Sequence, residues 1–215
     1  MSDTRLVDAF WLSWEGRTPG ITARGTWDMS RDANQRQMLL KAQARGATRF
    51  QLFSNSPVWW MTDDHNPSGS RFGFTDNLQA WNRRNHSVYL AEVAAHARAH
   101  WGVAFEDVEP FNEPIAHWWT ARGTQEGCHF DRATQATVLL ALREELDARG
   151  LSATHVAASD ENTYDEAIDT WKAIGTAAQR TVDKINVHGY QQGGGRRDVL
   201  YATHLPHAYT PMCRS

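Results

Sequence analysis

The sequence lacks most of the signatures that assign a chain to a function class at sight. Its 22 Lys and Arg stand against 25 Asp and Glu, a net charge of −3 with no long run of one sign, so nothing suggests a nucleic-acid partner. No apolar stretch approaches the ~20 residues that span a bilayer, and no membrane association is expected. The opening "MSDTRLVDAF" has none of the apolar core of a secretory signal, so the chain as written is expected to carry no export address. Its two cysteines, Cys128 and Cys213, form neither a CxxC nor a zinc pattern, and nothing supports a disulfide between them. His96 and His100 stand four apart in "HARAH" without the acidic residue of a zinc protease helix, which reads as a solvated face. There is no GxGxxG turn. "GGGRR" at 193–197 lacks the Lys-Ser/Thr of a phosphate loop and reads as a helix start, and Ser54 and Ser56 lack a nucleophile elbow.

What the chain does have is tryptophan, ten in 215 residues. Large flat side chains of this kind line ligand clefts as well as cores. They sit in a regular alternation of elements. Strands are read at "RFQLFS" (Arg49–Ser54), at "FEDVEPFN" closed by Pro114, at "HVAASD" ending on Asp160, and at Lys184–Tyr190. Between them lie helical patterns. One runs from an Asp32 cap to Gly46, with Met38, Leu39 and Ala42 on one face. A second carries Tyr89, Val93 and Ala97. A third runs from Asp131 to Gly150 with Val138, Leu139, Leu142 and Leu146 inward. The last opens on a capping box, Thr163 and Glu166, and buries Ala167, Trp171 and Ile174.

Four alternations of strand and helix imply parallel strands with helical crossovers. Each strand ends in reactive residues: Ser54-Asn55, Asn112-Glu113, Ser159-Asp160-Glu161 and His188-Gly189-Tyr190. A (β/α)8 barrel collects its chemistry at all its strand ends, whereas a doubly wound sheet collects it around one switch point. The expectation is therefore an α/β fold, a partial (β/α)8 TIM barrel. A whole barrel needs about 250 residues and eight units. The 215 residues are accordingly expected to form one incomplete catalytic domain with two open sheet edges, folding poorly in isolation.

The second strand ends in "EPFNEP", Glu109–Pro114. Alternation cannot separate Glu109 from Glu113, because both have the same parity. Position does: Glu109 lies inside the strand, as a buried partner for a neighbouring Arg or Lys, and Glu113 at its end, where a glutamic acid can hold a proton for a leaving oxygen. Glycoside hydrolysis takes two carboxylates. Asp160 and Glu161, or Asp63 and Asp64, are the remaining candidates for the second, with a supporting or solvated role favoured. In each doublet, Trp59-Trp60 and Trp118-Trp119, one ring is expected to stack on a sugar and the other to pack inward.

These residues resemble glycoside hydrolase family 30, whose members are retaining (β/α)8 enzymes. "FSNSPVWWMT" looks like the segment after its strand three and "EPFNEP" like its acid/base segment on strand four. More narrowly, "NPSGS", "NLQAWN", "GTQEGCHFD", "AASDEN" and "NVHGYQQGGGRRDVLY" resemble fungal-type endo-β-1,6-galactanases. The resemblance covers about Asp8 to Tyr201, leaving 202–215 as a divergent tail. It implies strands three to six of the barrel, Glu113 as general acid/base, and Asn112 beside the substrate's 2-hydroxyl. It places Asn55, Trp59, Trp60 and Trp119 along the cleft and Glu161, His188 and Tyr190 near the reactive sugar. The implied partner is a polysaccharide, the β-1,6-galactan side chains of arabinogalactan. No metal or organic cofactor is implied, and the family is typically extracellular. The family's nucleophile is a Glu ending strand seven. The tail "ATHLPHAYTPMCRS" holds no Asp or Glu, so the nucleophile is expected to be missing and the chain to be truncated at both ends and inactive as written. A non-catalytic carbohydrate-binding remnant, or a truncated gene product without activity, are the other readings.

Overall fold

Short aromatic and β-branched runs form parallel strands when helical crossovers cover the sheet. Here helices cover one face. The computed structural model describes residues 11–13, 26–191 and 193–208. It opens with a small antiparallel pair, β1 (Trp11–Ser13) and β2 (Thr26–Trp27). Then come α1 (Ala33–Ala44), β3 (Gln51–Phe53), α2 (Arg83–His96), β4 (Asp107–Glu109), α3 (Arg132–Ala148) and β5 (His155–Glu161). The order closes with α4 (Tyr164–Ala173), the short α5 (Gly175–Gln179), β6 (Lys184–Val187) and α6 (Arg197–Ala208). The tail from 209 onward, with Cys213, lies outside the described residues.

Strands β3, β4, β5 and β6 form one sheet in that spatial order, each pair parallel. Spatial order follows chain order with no reversal, so the winding is that of a barrel arc and not of a doubly wound sheet. Within this sheet β3 and β6 are the edges. The side chains confirm which face is concave. Lys184 Nζ reaches Asp107 Oδ2 at 3.2 Å, and Asn186 Nδ2 donates to Glu109 Oε2 at 3.1 Å. Both contacts pass over β5, whose residues at these registers are Ala157 and Ser159. Alternate strands meeting in layers across a small-residue strand is how a barrel interior fills.

The opposite face packs on the helices. Val108, Val156 and Ala158 join Val88, Val93, Val138, Leu139, Leu142 and Leu146 in one buried cluster. Each such valine or leucine contributes roughly 2 kcal/mol by leaving water. Helices α2 and α3 are further tied by Arg149, which bridges Glu92 at 2.9 Å and the buried Glu145 at 2.6 Å. The expected inward residues of α2, α3 and α4 are all buried. Helix α1 differs from expectation: Met38 is 72% exposed and Ala42 is exposed, while Leu39 and Leu40 pack on the cluster. With few apolar residues in the helix, the sequence does not determine its face. A cavity lined by Leu39, Leu52, Tyr89, Val93 and Phe105 separates α1 from the flank of β3.

Candidate active site

Glu113 stands four residues beyond β4, where the chain leaves the sheet. Its φ is +45°, a left-handed conformation that non-glycine residues adopt at a cost of about 1–3 kcal/mol when surrounding contacts hold them there. Those contacts are explicit. The Glu113 N–H donates to the Asp160 carbonyl at 2.9 Å, and Trp119 Nε1 donates to the Glu113 carbonyl at 2.8 Å. With its backbone fixed from both sides, the carboxyl is aimed. Oε1 accepts from Asn162 Nδ2 at 2.8 Å and lies 2.7 Å from His188 Nδ1.

The other ring nitrogen of His188 lies 3.0 Å from Asp160 Oδ2. One imidazole therefore links two carboxylates. A ring nitrogen that carries a proton donates to the carboxylate it faces. Burial pushes the Asp160 carboxyl above the usual carboxylate range, an effect that the adjacent His188 opposes. Asn112 is buried, and its Nδ2 finds no hydrogen-bond acceptor among the described residues. An unspent amide donor beside a positioned carboxyl is an arrangement suited to a hydroxylated ligand.

Strand β5 explains how Asp160 reaches His188. Ser159 pairs with Asn186 and Glu161 with Val187, so Asp160, at φ +55°, is an extra residue without a partner. This bulge reverses the alternation beyond it. Glu161 turns to the helix side with Val187. There it is 1% exposed, accepts from Thr170 Oγ1 of α4 at 2.6 Å, and faces the Ile115 N–H at 3.4 Å. Burial pushes its carboxyl up to about 7.

The model of O-glycosyl hydrolase family 30 matches residues 13–184. The chain belongs to glycoside hydrolase family 30. An endo-β-1,6-galactanase of Hypocrea rufa is 57% identical over 199 residues, covering 93% of this chain. This chain spans 40% of that relative's length. Among solved structures, the catalytic domain of a family 30 xylanase C from Talaromyces cellulolyticus superposes with a TM-score of 0.63 at 21% identity, over 85% of this chain and 41% of that one. An endo-β-1,6-glucanase does so at 0.66 and 20%, over 84% and 40%. These likenesses establish the barrel fold of which the four β/α units here are part.

Within this family 30 fold, the residues singled out from sequence separate into groups. Glu113 and His188 are brought into direct contact, and Tyr190 joins them edge-on to His188 at 5.3 Å between ring centroids. Asn112 adjoins Glu113. Asn55, Trp59 and Trp60 occupy the connection after β3, Asn55 buried and Trp59 edge-on to His65. Two expectations are corrected. Glu161 is turned away from the strand ends by the bulge. Trp119 is 3% exposed, its indole N–H donating to the Glu113 carbonyl beneath the site, with no face open to a sugar; its neighbour Trp118 is 50% exposed. A third correction concerns Glu109, whose partner is Asn186 and not an Arg or Lys; burial holds its carboxyl well above the ordinary range. Asp63 and Asp64 are exposed loop acids. Asn162 and the linking role of Asp160 were missed. Asn162 has no sequence signal beyond lying two residues after Asp160 at a strand end. Among the described residues no cluster of three or more His, Cys, Asp or Glu is placed to hold a metal, and no helix is long and apolar enough to cross a membrane.

Proposed function

We propose that these 215 residues are the acid/base half of the catalytic domain of an exported, retaining glycoside hydrolase that cuts within β-1,6-galactan, with Glu113 as general acid/base. The observation that carries the reading is the Glu113 carboxyl, strained in backbone and held between Asn162 and His188 at a barrel strand end, in a chain 57% identical to an endo-β-1,6-galactanase. In the first half-reaction Glu113 gives its proton to the departing glycosidic oxygen. In the second, as carboxylate, it takes one from the attacking water. His188 and Asp160 offer neighbouring sites for the charge that Glu113 gains and loses. Asn112, with its free amide donor, contacts a hydroxyl of the reacting sugar, and Tyr190 and the Trp59-Trp60 segment border it. The nucleophile of the covalent step belongs to a strand other than β3 to β6.

The test is calorimetric titration of the chain with β-1,6-linked galacto-oligosaccharides, using β-1,4-linked ones as control and reducing-end release as a parallel readout. Saturable, linkage-selective binding without release is expected, weakened by Asn112→Ala. Release that is lost in Glu113→Gln places the nucleophile within these residues and refutes its assignment elsewhere. Absence of binding to any β-1,6-galactoside refutes the site.

A further inference from the structure

Three large aromatic side chains near the site are left in solvent. Phe72 is 56% exposed, Phe74 57% and Trp118 50%, in a fold that buries Phe105, Phe111 and Phe130. They come from two connections, one after β3 and one after β4, and these connections are locked together. The Ser70 N–H donates to the Trp119 carbonyl at 3.0 Å and the Ala121 N–H to the Ser70 carbonyl at 2.9 Å. Asn66 Nδ2 donates to the Ala121 carbonyl at 3.0 Å. Gly69 and Gly73 adopt φ +131° and +71°, and a Cβ at either would strike the backbone of Trp119 or His117. The two strands of loop therefore approach more closely than side chains permit, and the three rings ride on one rigid unit. Phe72 and Phe74 are 6.0 Å apart, with the Arg71 guanidinium 5.4 Å over the Phe72 ring.

The unit is tied directly to the backbone that carries the candidate catalytic carboxyl. Trp119, adjoining Trp118, donates to the Glu113 carbonyl. Both connections also leave the strand ends on the face that carries Glu113. Exposed rings held rigid and set among polar groups fit a ligand that is apolar on one face and polar at its rim. A pyranose ring has that form: axial C–H groups lie against an aromatic face while equatorial hydroxyls reach donors such as Arg71.

We infer that Phe72, Phe74 and Trp118 form a distal subsite that stacks glycan units beyond the one at Glu113. This rests on the reading of Glu113 as the acid/base of a glycan-binding cleft, and extends it: chain length of the ligand is sensed by these rings. The experiment is titration of the whole chain with β-1,6-galactobiose and β-1,6-galactohexaose. Wild type should bind the hexaose at least tenfold more tightly than the biose. Trp118→Ala, and separately Phe72→Ala with Phe74→Ala, should weaken hexaose binding by about tenfold, which is about 1.4 kcal/mol. Biose binding and the far-UV circular dichroism should stay at wild-type values, since the rings are half in solvent. Hexaose affinity unchanged in both variants, with biose still bound, overturns the subsite and leaves the Glu113 site standing. No binding of either sugar to wild type overturns both. Equal loss of biose and hexaose places the rings at the reacting sugar and also overturns the distal assignment.

Discussion

Glu161 offers a sharp test, because the bulge has left a carboxyl with almost no solvent, and burial outweighs the opposing effects of the Thr170 hydroxyl, the Ile115 N–H and the Arg132 charge. Its proton is held to about 7 in the folded chain, against an ordinary value of 4.5. The sign follows from proton counting. Between pH 4.5 and 7 the unfolded chain has released this proton and the native chain keeps it. The native state binds more protons, so stability falls as pH rises through this window and levels off above it. At about 1.4 kcal/mol per pH unit, the interval amounts to about 3 kcal/mol. Glu161→Gln keeps an oxygen for the Thr170 hydroxyl and removes the titration. Wild type alone would not isolate the effect, because other buried groups titrate as well: Glu109 and Asp160 act in the same direction, and His86 in the opposite one. Fully buried, with Nε2 3.0 Å from the Pro110 carbonyl, its imidazole is pushed down to about 4. The unfolded chain protonates it below about 6.5 while the native chain does not, so stability is lost as pH falls from about 6.5 to 4. The difference between variant and wild type cancels this background. Urea unfolding followed by tryptophan fluorescence should show the two proteins equal near pH 4.5. By pH 8 the variant should be ahead by about 3 kcal/mol, a midpoint shift of about 1–2 M. Parallel pH curves would refute the assignment of Glu161 to the dry helix side.

Two further substitutions probe how the site is held. Gly127→Ala would drive its Cβ into the Trp119 ring, so the indole must move and release the Glu113 carbonyl. A loss of about 1–3 kcal/mol is expected in urea unfolding, with a change in near-UV circular dichroism as the indole shifts. Thr163→Ala breaks the capping box in which Thr163 Oγ1 accepts from the Glu166 N–H and Glu166 Oε2 accepts from the Thr163 N–H. The expected cost is about 1 kcal/mol in the unfolding midpoint, and an unchanged midpoint would mean that α4 is fixed by packing alone.

The parts legible in the sequence are those that depend on local period. The buried faces of α2, α3 and α4 follow from apolar residues three and four apart, and the four parallel strands from short runs between helices. The parts that escaped depend on contacts far along the chain. Nothing in "HWWT" says which tryptophan goes inward. The choice is made by Gly127, which leaves room for one indole, and by the Glu113 carbonyl that receives it. Likewise "SDEN" reads as simple alternation, under which Ser159 and Glu161 would share a face. An aspartate in place of glycine at the bulge hides the extra residue from any turn-based reading.

That hidden residue is also what makes the site. In a regular β5, Glu161 would project to the concave face and Asp160 to the helices. With Asp160 displaced, its carbonyl receives the Glu113 N–H and its carboxyl reaches His188, while Glu161 becomes a buried prop against α4. Two left-handed residues, Glu113 and Asp160, then share one hydrogen bond across adjacent strand ends. Each is costly alone, and each is held by the other together with Trp119 and His188. Strain that needs this many supports is most simply understood as positioning for chemistry. It also explains why reading from local rules fails at the residues around Glu113 while succeeding in the helices: there the backbone is set by contacts between distant strand ends and not by local period.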